Sequence, residues 1–327
     1  MKVIYYFRNP IPGNYSIESI FNSIIDELKN DIDIALFKTK SSVDMSAILQ
    51  VRGLKADVHH ITGAVNYLAL SLPSKNTVLT VHDIGFYENP VNAGLKKSIY
   101  GLFWLQGPLR WAKVITTVSE FTRQRLLEKF SLSGDKIRVI PNPILHQFAF
   151  QPPNVKGFSL RILQIGSGAH KNLKSLILAS REMPVHLMIV GYPSTEEIQL
   201  MNRYRISFEI YKDIQIDDLL SLYRRCDVLF FASYYEGFGV PILEAQKVGR
   251  PVITSNFGAM KEITADSAYL VSPNDIEQIR HAIFELSHNH ALYASLVEGG
   301  KKNADRFSLK EIAKKYLDVY KTLNNGD

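Results

Sequence analysis

Apolar and polar positions follow two registers that take turns from one end of this chain to the other. Short runs rich in β-branched and aromatic residues fall at 2–7, 32–37, 57–61, 77–81 and 114–118, and again at 161–165, 185–190, 227–232, 251–254 and 268–271. Between them lie stretches with helical period. In 16–29 this places Ile17, Ile20, Phe21, Ile24, Ile25 and Leu28 on one face. Strands and helices in alternation predict an α/β fold of parallel sheets covered by helices and exclude a helical bundle. After Asp275 the pattern is helical to the end, and 309–323 repeats Leu309, Ile312, Ala313, Tyr316, Leu317 and Tyr320 at helical spacing.

The alternation pauses at Pro141-Asn142-Pro143 and again at Gln151-Pro152-Pro153-Asn154. A chain of 327 residues is long enough for two domains, so the second pause is read as a boundary between 1–150 and 151–307. Each half has the pattern of a doubly wound sheet. Such sheets bind ligands outside the carboxyl ends of their strands, which places the expected site in a cleft between two domains.

Composition narrows the class. With 46% hydrophobic and 21% charged residues the chain is ordinary globular material, and disorder is excluded as its main state. No apolar run approaches the roughly 20 residues of a spanning helix, and the apolar run within residues 1–8 is too short for a signal-peptide core. The expected location is the cytoplasm. Cys226 is the single cysteine, so neither an internal disulfide nor a thiolate metal cluster can form, and it reads as core filling. The net charge of +6 is concentrated in the first half, with 17 basic against 12 acidic residues up to position 150 and 21 against 20 beyond it. That surplus suits phospholipid or a phosphorylated substrate. Nucleic acid is the weakest candidate partner, because the basic residues form no run and no recognition motif.

Two segments carry phosphate chemistry. Glu236-Gly237-Phe238-Gly239-Val240-Pro241-Ile242-Leu243-Glu244 follows a strand and opens a helix. Pro241 suits a first helical turn, and unpaired amides around Gly239, Val240 and Ile242 would offer an anion site. Gly237 and Gly239 let a ligand approach the backbone, Glu236 can reach sugar hydroxyls, and Glu244 can accept two hydrogen bonds from a ribose diol. The competing reading is a pair of solvent-facing glutamates around a helix cap. Gly166-Ser167-Gly168-Ala169-His170-Lys171-Asn172 is a second strand-to-helix loop, which reads by itself either as an ordinary connection or as a site where Lys171 could meet a diphosphate, with Asn172 as a candidate N-cap. It lacks the third glycine of a dinucleotide fingerprint, so a nicotinamide dehydrogenase is disfavoured. In the first half His82 and Asp83 follow a buried strand, where His82 could meet a sugar hydroxyl or simply bond a neighbouring loop carbonyl. The loop 10–15, with Gly13, and Ser119-Glu120-Phe121-Thr122 read by themselves as a plain turn and a helix cap.

Taken in order, four segments resemble the retaining, nucleotide-sugar-dependent glycosyltransferases of family 4, which have the two-Rossmann GT-B architecture. They are Val81-His82-Asp83, Thr117-Val118-Ser119-Glu120-Phe121-Thr122, Val139-Ile140-Pro141-Asn142-Pro143, and the E-x7-E segment from Glu236 to Glu244 with Gly249-Arg250-Pro251-Val252-Ile253 behind it. The resemblance implies that Glu236 contacts the donor sugar, Glu244 the ribose and Lys171 the diphosphate. Amides of Phe238, Gly239 and Val240 would lie near sugar and phosphate, with Gly166 in the second loop. It also implies that His82 lies near the reaction centre, that the Gly13 loop closes on donor phosphate, and that a last helix over 308–327 packs back on the first domain. The family usually carries a further basic residue near Ser167 or His170, and neither is Arg or Lys here.

The implied reaction transfers a hexosyl group from a GDP- or UDP-sugar to an acceptor hydroxyl with retained configuration and no metal cofactor, in polysaccharide or glycolipid synthesis. No D-x-D with a supporting site and no H-E-x-x-H appears, and His59-His60 has no partner cluster in the sequence. The same fold would also serve a sugar-nucleotide epimerase or a catalytically silent sugar-nucleotide binding protein. A lipid-linked or saccharide acceptor is expected. Residues 96–111, with basic ends and a Phe103-Trp104-Leu105 centre, read either as an interfacial helix giving peripheral membrane contact or as a core helix weakened by Gly101 and Gly107. The segment 208–213 is the expected neighbour of the base.

Overall fold

The computed structural model describes residues 1–9, 16–41, 43–88, 101–145, 147–153 and 159–325. The chain forms two compact units, Met1–Leu145 with Ser308–Asp327, and His146–Phe307. No described helix is long and apolar enough to cross a membrane.

In the first unit, strands β1 (Lys2–Phe7), β2 (Asp33–Lys38), β3 (Val58–Ile61), β4 (Thr77–Val81), β5 (Val114–Thr117) and β6 (Ile137–Val139) form one parallel sheet, ordered β2-β1-β3-β4-β5-β6. The winding reverses at β1. Strands β3 and β4 are buried along their whole length, so the two histidines of β3 and the threonines of β4 are core residues.

The five helices used below are α1 (Ser16–Leu28), α2 (Leu173–Ala179), α3 (Ile216–Arg225), α4 (Val240–Val248) and α5 (Leu309–Asn325). Helix α5 belongs to the first unit and packs on α1, where Tyr316 meets Phe21 edge to face at 5.6 Å between ring centres. The seam holds a buried polar chain. Tyr320 OH lies 2.6 Å from His60 Nδ1, His60 Nε2 lies 2.7 Å from Thr80 Oγ1, and Thr80 Oγ1 lies 2.7 Å from Thr116 Oγ1. His59, on the opposite face of β3, meets Tyr6 OH at 2.7 Å. Burial pushes His59 down to about 4 and His60 to about 3, so both rings are neutral core groups at neutral pH.

The second unit has strands β7 (Leu160–Ile165), β8 (Val185–Val190), β9 (Ser207–Tyr211), β10 (Val228–Phe231), β11 (Val252–Ser255) and β12 (Tyr269–Val271), ordered β12-β11-β10-β7-β8-β9 and all parallel. This is the doubly wound order, with its switch point between β7 and β10. The segment after Leu145 is fastened to this unit. Phe148 packs edge-on against Tyr223, Gln151 N–H donates to the Val248 carbonyl, and the buried Arg250 guanidinium donates to the Gln151 carbonyl at 2.9 Å. Cys226 is buried, as its reading as core filling required, and burial pushes its thiol up to about 12.

Three sequence expectations change. Strands β6 and β9 were not foreseen, because β6 is only three residues long and β9, at the sheet edge, exposes Ser207 and Glu209. The described part of 96–111 is helical but not a regular α-helix. A π-helical stretch over Gly101–Gln106 runs into a short α-helix over Gly107–Trp111, since Pro108 has no N–H and Gly107 lies against the Leu102 carbonyl, where a Cβ would come within 2.9 Å. Leu105 and Leu109 are buried there, while Leu102, Phe103 and Trp111 are exposed. Residues 96–100 lie outside the described residues.

Candidate active site

The two phosphate-type loops leave β7 and β10, the strands that flank the switch point. The first is closed by Gly166, whose φ of +85° is open to glycine, and whose missing Cβ lets the Lys171 side chain lie across it, 3.0 Å from where a Cβ would stand. Gln164 Nε2 holds the loop from below by donating to the carbonyls of Gly166 and Lys171 at 3.1 and 3.0 Å. Three bonds staple it to the second loop. Tyr234 N–H donates to the His170 carbonyl, Asn172 Nδ2 donates to the Ala232 carbonyl, and Lys171 Nζ meets Glu236 Oε1 at 2.6 Å. Lys171 also lies 4.8 Å from the centre of the Phe231 ring.

Asn172 corrects an expectation. It sits at the start of α2 in the left-handed conformation, φ +62°, and its side chain makes no capping bond. Its amide instead donates to the carbonyls of Ala232 and Pro273, so it braces the floor of the site and leaves the helix start uncapped. Ser119, by contrast, caps its helix as expected, accepting from Thr122 N–H at 3.1 Å.

The second loop turns into α4 through Gly239 at φ +116°, where a Cβ would stand 3.1 Å from both Ile242 and Ile263. The amide of Ile242 is not open as expected, because it donates to the Gly239 carbonyl at 3.0 Å. The anion-binding capacity of this turn therefore rests on the amides before it, at Gly239 and Val240, and on the helix dipole. Phe238 is buried against Phe307, 5.9 Å between ring centres, so only its backbone can face a ligand.

The two glutamates are not solvent-facing. Glu236 is partly buried in its pair with Lys171, and Glu244 is only 8% exposed. Glu244 Oε2 accepts from Tyr223 OH at 2.7 Å, and among the described residues no hydrogen bond is made to Oε1. Desolvation pushes this carboxyl up to about 7, with the Tyr223 bond opposing the rise.

His82 follows β4 in the first unit. Its Nε2 donates to the Thr62 carbonyl at 2.8 Å, which makes Nδ1 the ring's acceptor. Gly63 makes room for the ring, since a Cβ there would stand 2.9 Å from His82 Cδ2, and Phe21 meets it edge-on at 6.1 Å. Desolvation holds this imidazole below its ordinary value. Beside it Arg8 Nε and Glu18 Oε1 are paired at 2.7 Å. Gly13 and the rest of 10–15 lie outside the described residues. The structure thus brings Gly166, Lys171, Glu236, Phe238, Gly239, Val240 and Glu244 together at the carboxyl ends of β7 and β10, and places His82 at the carboxyl end of β4. Sequence reasoning missed Gln164, the bracing by Asn172, and Tyr223. The signal for Tyr223 was a phenol on the apolar face of an otherwise charged helix. Among the described residues no three metal-ligating side chains converge.

Comparison with known proteins follows the same lines. Residues 148–303 match the family model for glycosyl transferases group 1, and residues 40–147 that for glycosyltransferase family 4. The O-antigen chain mannosyltransferase B of Escherichia coli is 28% identical over 277 residues, covering 76% of this chain and 71% of that protein. The serotype-specific mannosyltransferase WbdA of the same species is 24% identical over 60% of this chain, which spans only 27% of that larger protein. Among solved structures, Anabaena Alr3699/HepE in complex with UDP and glucose superposes with a TM-score of 0.77 at 15% identity, over 98% of this chain and 100% of the other. The lipopolysaccharide-biosynthesis glycosyltransferase WaaG superposes with a TM-score of 0.73 at 16% identity, over 98% of this chain and 99% of the other. With two family models meeting end to end across residues 40–303, and two doubly wound units of GT-B type, this chain is an enzyme of the group 1, family 4 glycosyltransferases.

Proposed function

We propose that this enzyme moves a hexosyl group from a nucleoside diphosphate sugar to a hydroxyl of a saccharide or lipid-linked acceptor, in the assembly of a surface polysaccharide. The observation that carries this reading is the meeting of Lys171 and Glu236 at the switch point, in the loop that leads into the helix carrying the buried Glu244. Together these residues supply a cation for the diphosphate, a carboxylate for sugar hydroxyls and a second carboxylate for the ribose. The names of the E. coli relatives support a polysaccharide product and a mannosyl donor, and the UDP and glucose in the Anabaena neighbour support a nucleotide-sugar site.

In this reading the bond between the anomeric carbon and the phosphate oxygen breaks, the acceptor oxygen joins the same face of that carbon, and its proton passes to the departing phosphate oxygen. Configuration is retained. Lys171 and the first amides of α4 stabilise the charge on the leaving diphosphate, so the reading assigns the protein no metal cofactor. His82 accepts a sugar hydroxyl through Nδ1. The exposed Leu102, Phe103 and Trp111 support peripheral contact with an anionic membrane face on the cytoplasmic side.

The test is a thermal-shift panel of GDP, UDP, ADP and their sugar conjugates, followed by incubation of the selected donor with oligosaccharide acceptors and NMR of the product's anomeric proton. A selective shift and an α-linked product from an α-linked donor are expected. Stabilisation by no nucleotide, or release of an inverted product, overturns the reading.

A further inference from the structure

Tyr223 lies in the second unit, fully buried on α3, and the catalytic reading uses only the carboxylate beside it. Its ring packs edge-on against Phe148 at 5.8 Å, which fixes the direction of the hydroxyl. That hydroxyl donates to Glu244 Oε2 at 2.7 Å and also lies 3.3 Å from the Pro241 carbonyl in the first turn of α4. A buried carboxylate with no cation on it is destabilising, and a neutral donor at short range is the least that keeps it ionised. Oε1 is left for a ligand.

The neighbouring groups do not compete. The Tyr223 proton is held well above the ordinary phenol range by burial and by Glu244, so it stays a donor throughout the accessible pH range. Cys226, near the same ring, is pushed up to about 12 and is neutral. Arg250 spends its guanidinium on the carbonyls of Gln151, Val248, Gly249 and Arg224. Lys247, three residues further along α4, is paired with Asp305. Within this cluster Glu244 is the group whose charge changes near neutrality.

We propose that Tyr223 is a positioning residue that holds Glu244 as an ionised acceptor for the ribose diol, so that nucleotide-sugar affinity is governed by one proton whose release its hydroxyl favours. This rests on the reading of Glu244 as the ribose ligand. Only the ionised carboxylate accepts from both hydroxyls of the diol, so affinity is full above the titration and falls as pH drops through about 7. Removing a hydrogen bond to the charged form raises that midpoint by about one unit.

The experiment is calorimetric titration of UDP-glucose and GDP-mannose, whose bridged phosphates carry no proton in this range, from pH 6 to 9. Tyr223→Phe is expected to move the midpoint of affinity up by about one unit, to weaken binding about fivefold at pH 7, and to return to within about twofold of the parent at pH 9. Tyr293→Phe removes another buried tyrosine hydroxyl from the same unit, one that donates to the Asp227 carbonyl at 2.8 Å, and leaves the midpoint unmoved. A 2′-deoxy nucleotide sugar loses most of the difference between parent and Tyr223→Phe. An unmoved midpoint, or a loss equal at every pH, overturns the proposal. Should Tyr223→Phe fail to fold, Glu244→Gln serves instead, and a pH dependence that survives in it is equally fatal. Binding of neither probe to the parent protein defeats the ribose reading itself and this inference with it.

Discussion

Lys171 Nζ lies 2.6 Å from Glu236 Oε1, so the two side chains that the proposed reaction directs at phosphate and at sugar hold one another. With side-chain exposures of 20% and 15%, this pair is sheltered enough to matter and open enough to exchange partners. A bound sugar nucleotide has to replace both halves of it at once.

Glu236→Gln therefore separates two effects. It frees Lys171 and removes a negative charge beside the diphosphate, so UDP or GDP without sugar is expected to bind about fivefold tighter, while sugar transfer falls by at least about tenfold with a lost charged hydrogen bond. Calorimetry with the bare nucleotide checks the first and a transfer assay the second. Weaker binding of the bare nucleotide counts against the exchange.

Glu244 makes the free enzyme less stable than it could be. Its carboxyl titrates at about 7 when folded, above its ordinary 4.5, so the folded state binds the extra proton and stability falls as pH rises from about 4.5 to 7. Glu244→Gln is expected to stabilise the ligand-free protein by about 2 kcal/mol at pH 8 and by almost nothing below pH 4.5. Denaturant unfolding at the two pH values decides it, and equal effects at both refute it.

His82→Ala removes the acceptor Nδ1 and leaves the second unit untouched. Nucleotide-sugar affinity is expected to stay within about twofold and turnover to drop about a hundredfold. Equal losses in both would place His82 in donor binding instead.

For the exposed face of residues 101–111, Phe103→Ser with Leu102→Ser is expected to abolish flotation with anionic liposomes at low salt without changing transfer to a soluble acceptor. Flotation that persists in the double variant, or is absent in the parent, removes the membrane contact.

Much of this was open in the sequence. Strands β1, β4 and β8 have the bounds that their apolar runs mark, because a parallel strand buried on both faces has no other way to be written. Glu236, Gly239 and Glu244 were legible because their loop chemistry is local. What stayed hidden depends on contacts between distant positions. The sequence separations of 65 between Lys171 and Glu236, and of 21 between Tyr223 and Glu244, carry no periodic trace of either pairing. Asn172 was misread for the same reason. An asparagine before a helix has the local form of a cap, and only the approach of Ala232 and Pro273 turns its amide elsewhere.

Because α5 completes the first unit, that unit cannot finish folding in the order in which it is made. Residues 1–145 emerge from the ribosome with the α5-facing side of β3 uncovered, and Tyr316 and Tyr320, which close over His60, follow only after all 162 residues of His146–Phe307. At roughly 5–20 residues per second, the nascent first unit waits on the order of ten to thirty seconds with a polar imidazole and an apolar seam exposed. The second unit, contiguous in the chain, can meanwhile fold alone. The second unit thus closes before the first, and α5, made after it, is the helix that locks the earlier strands in place.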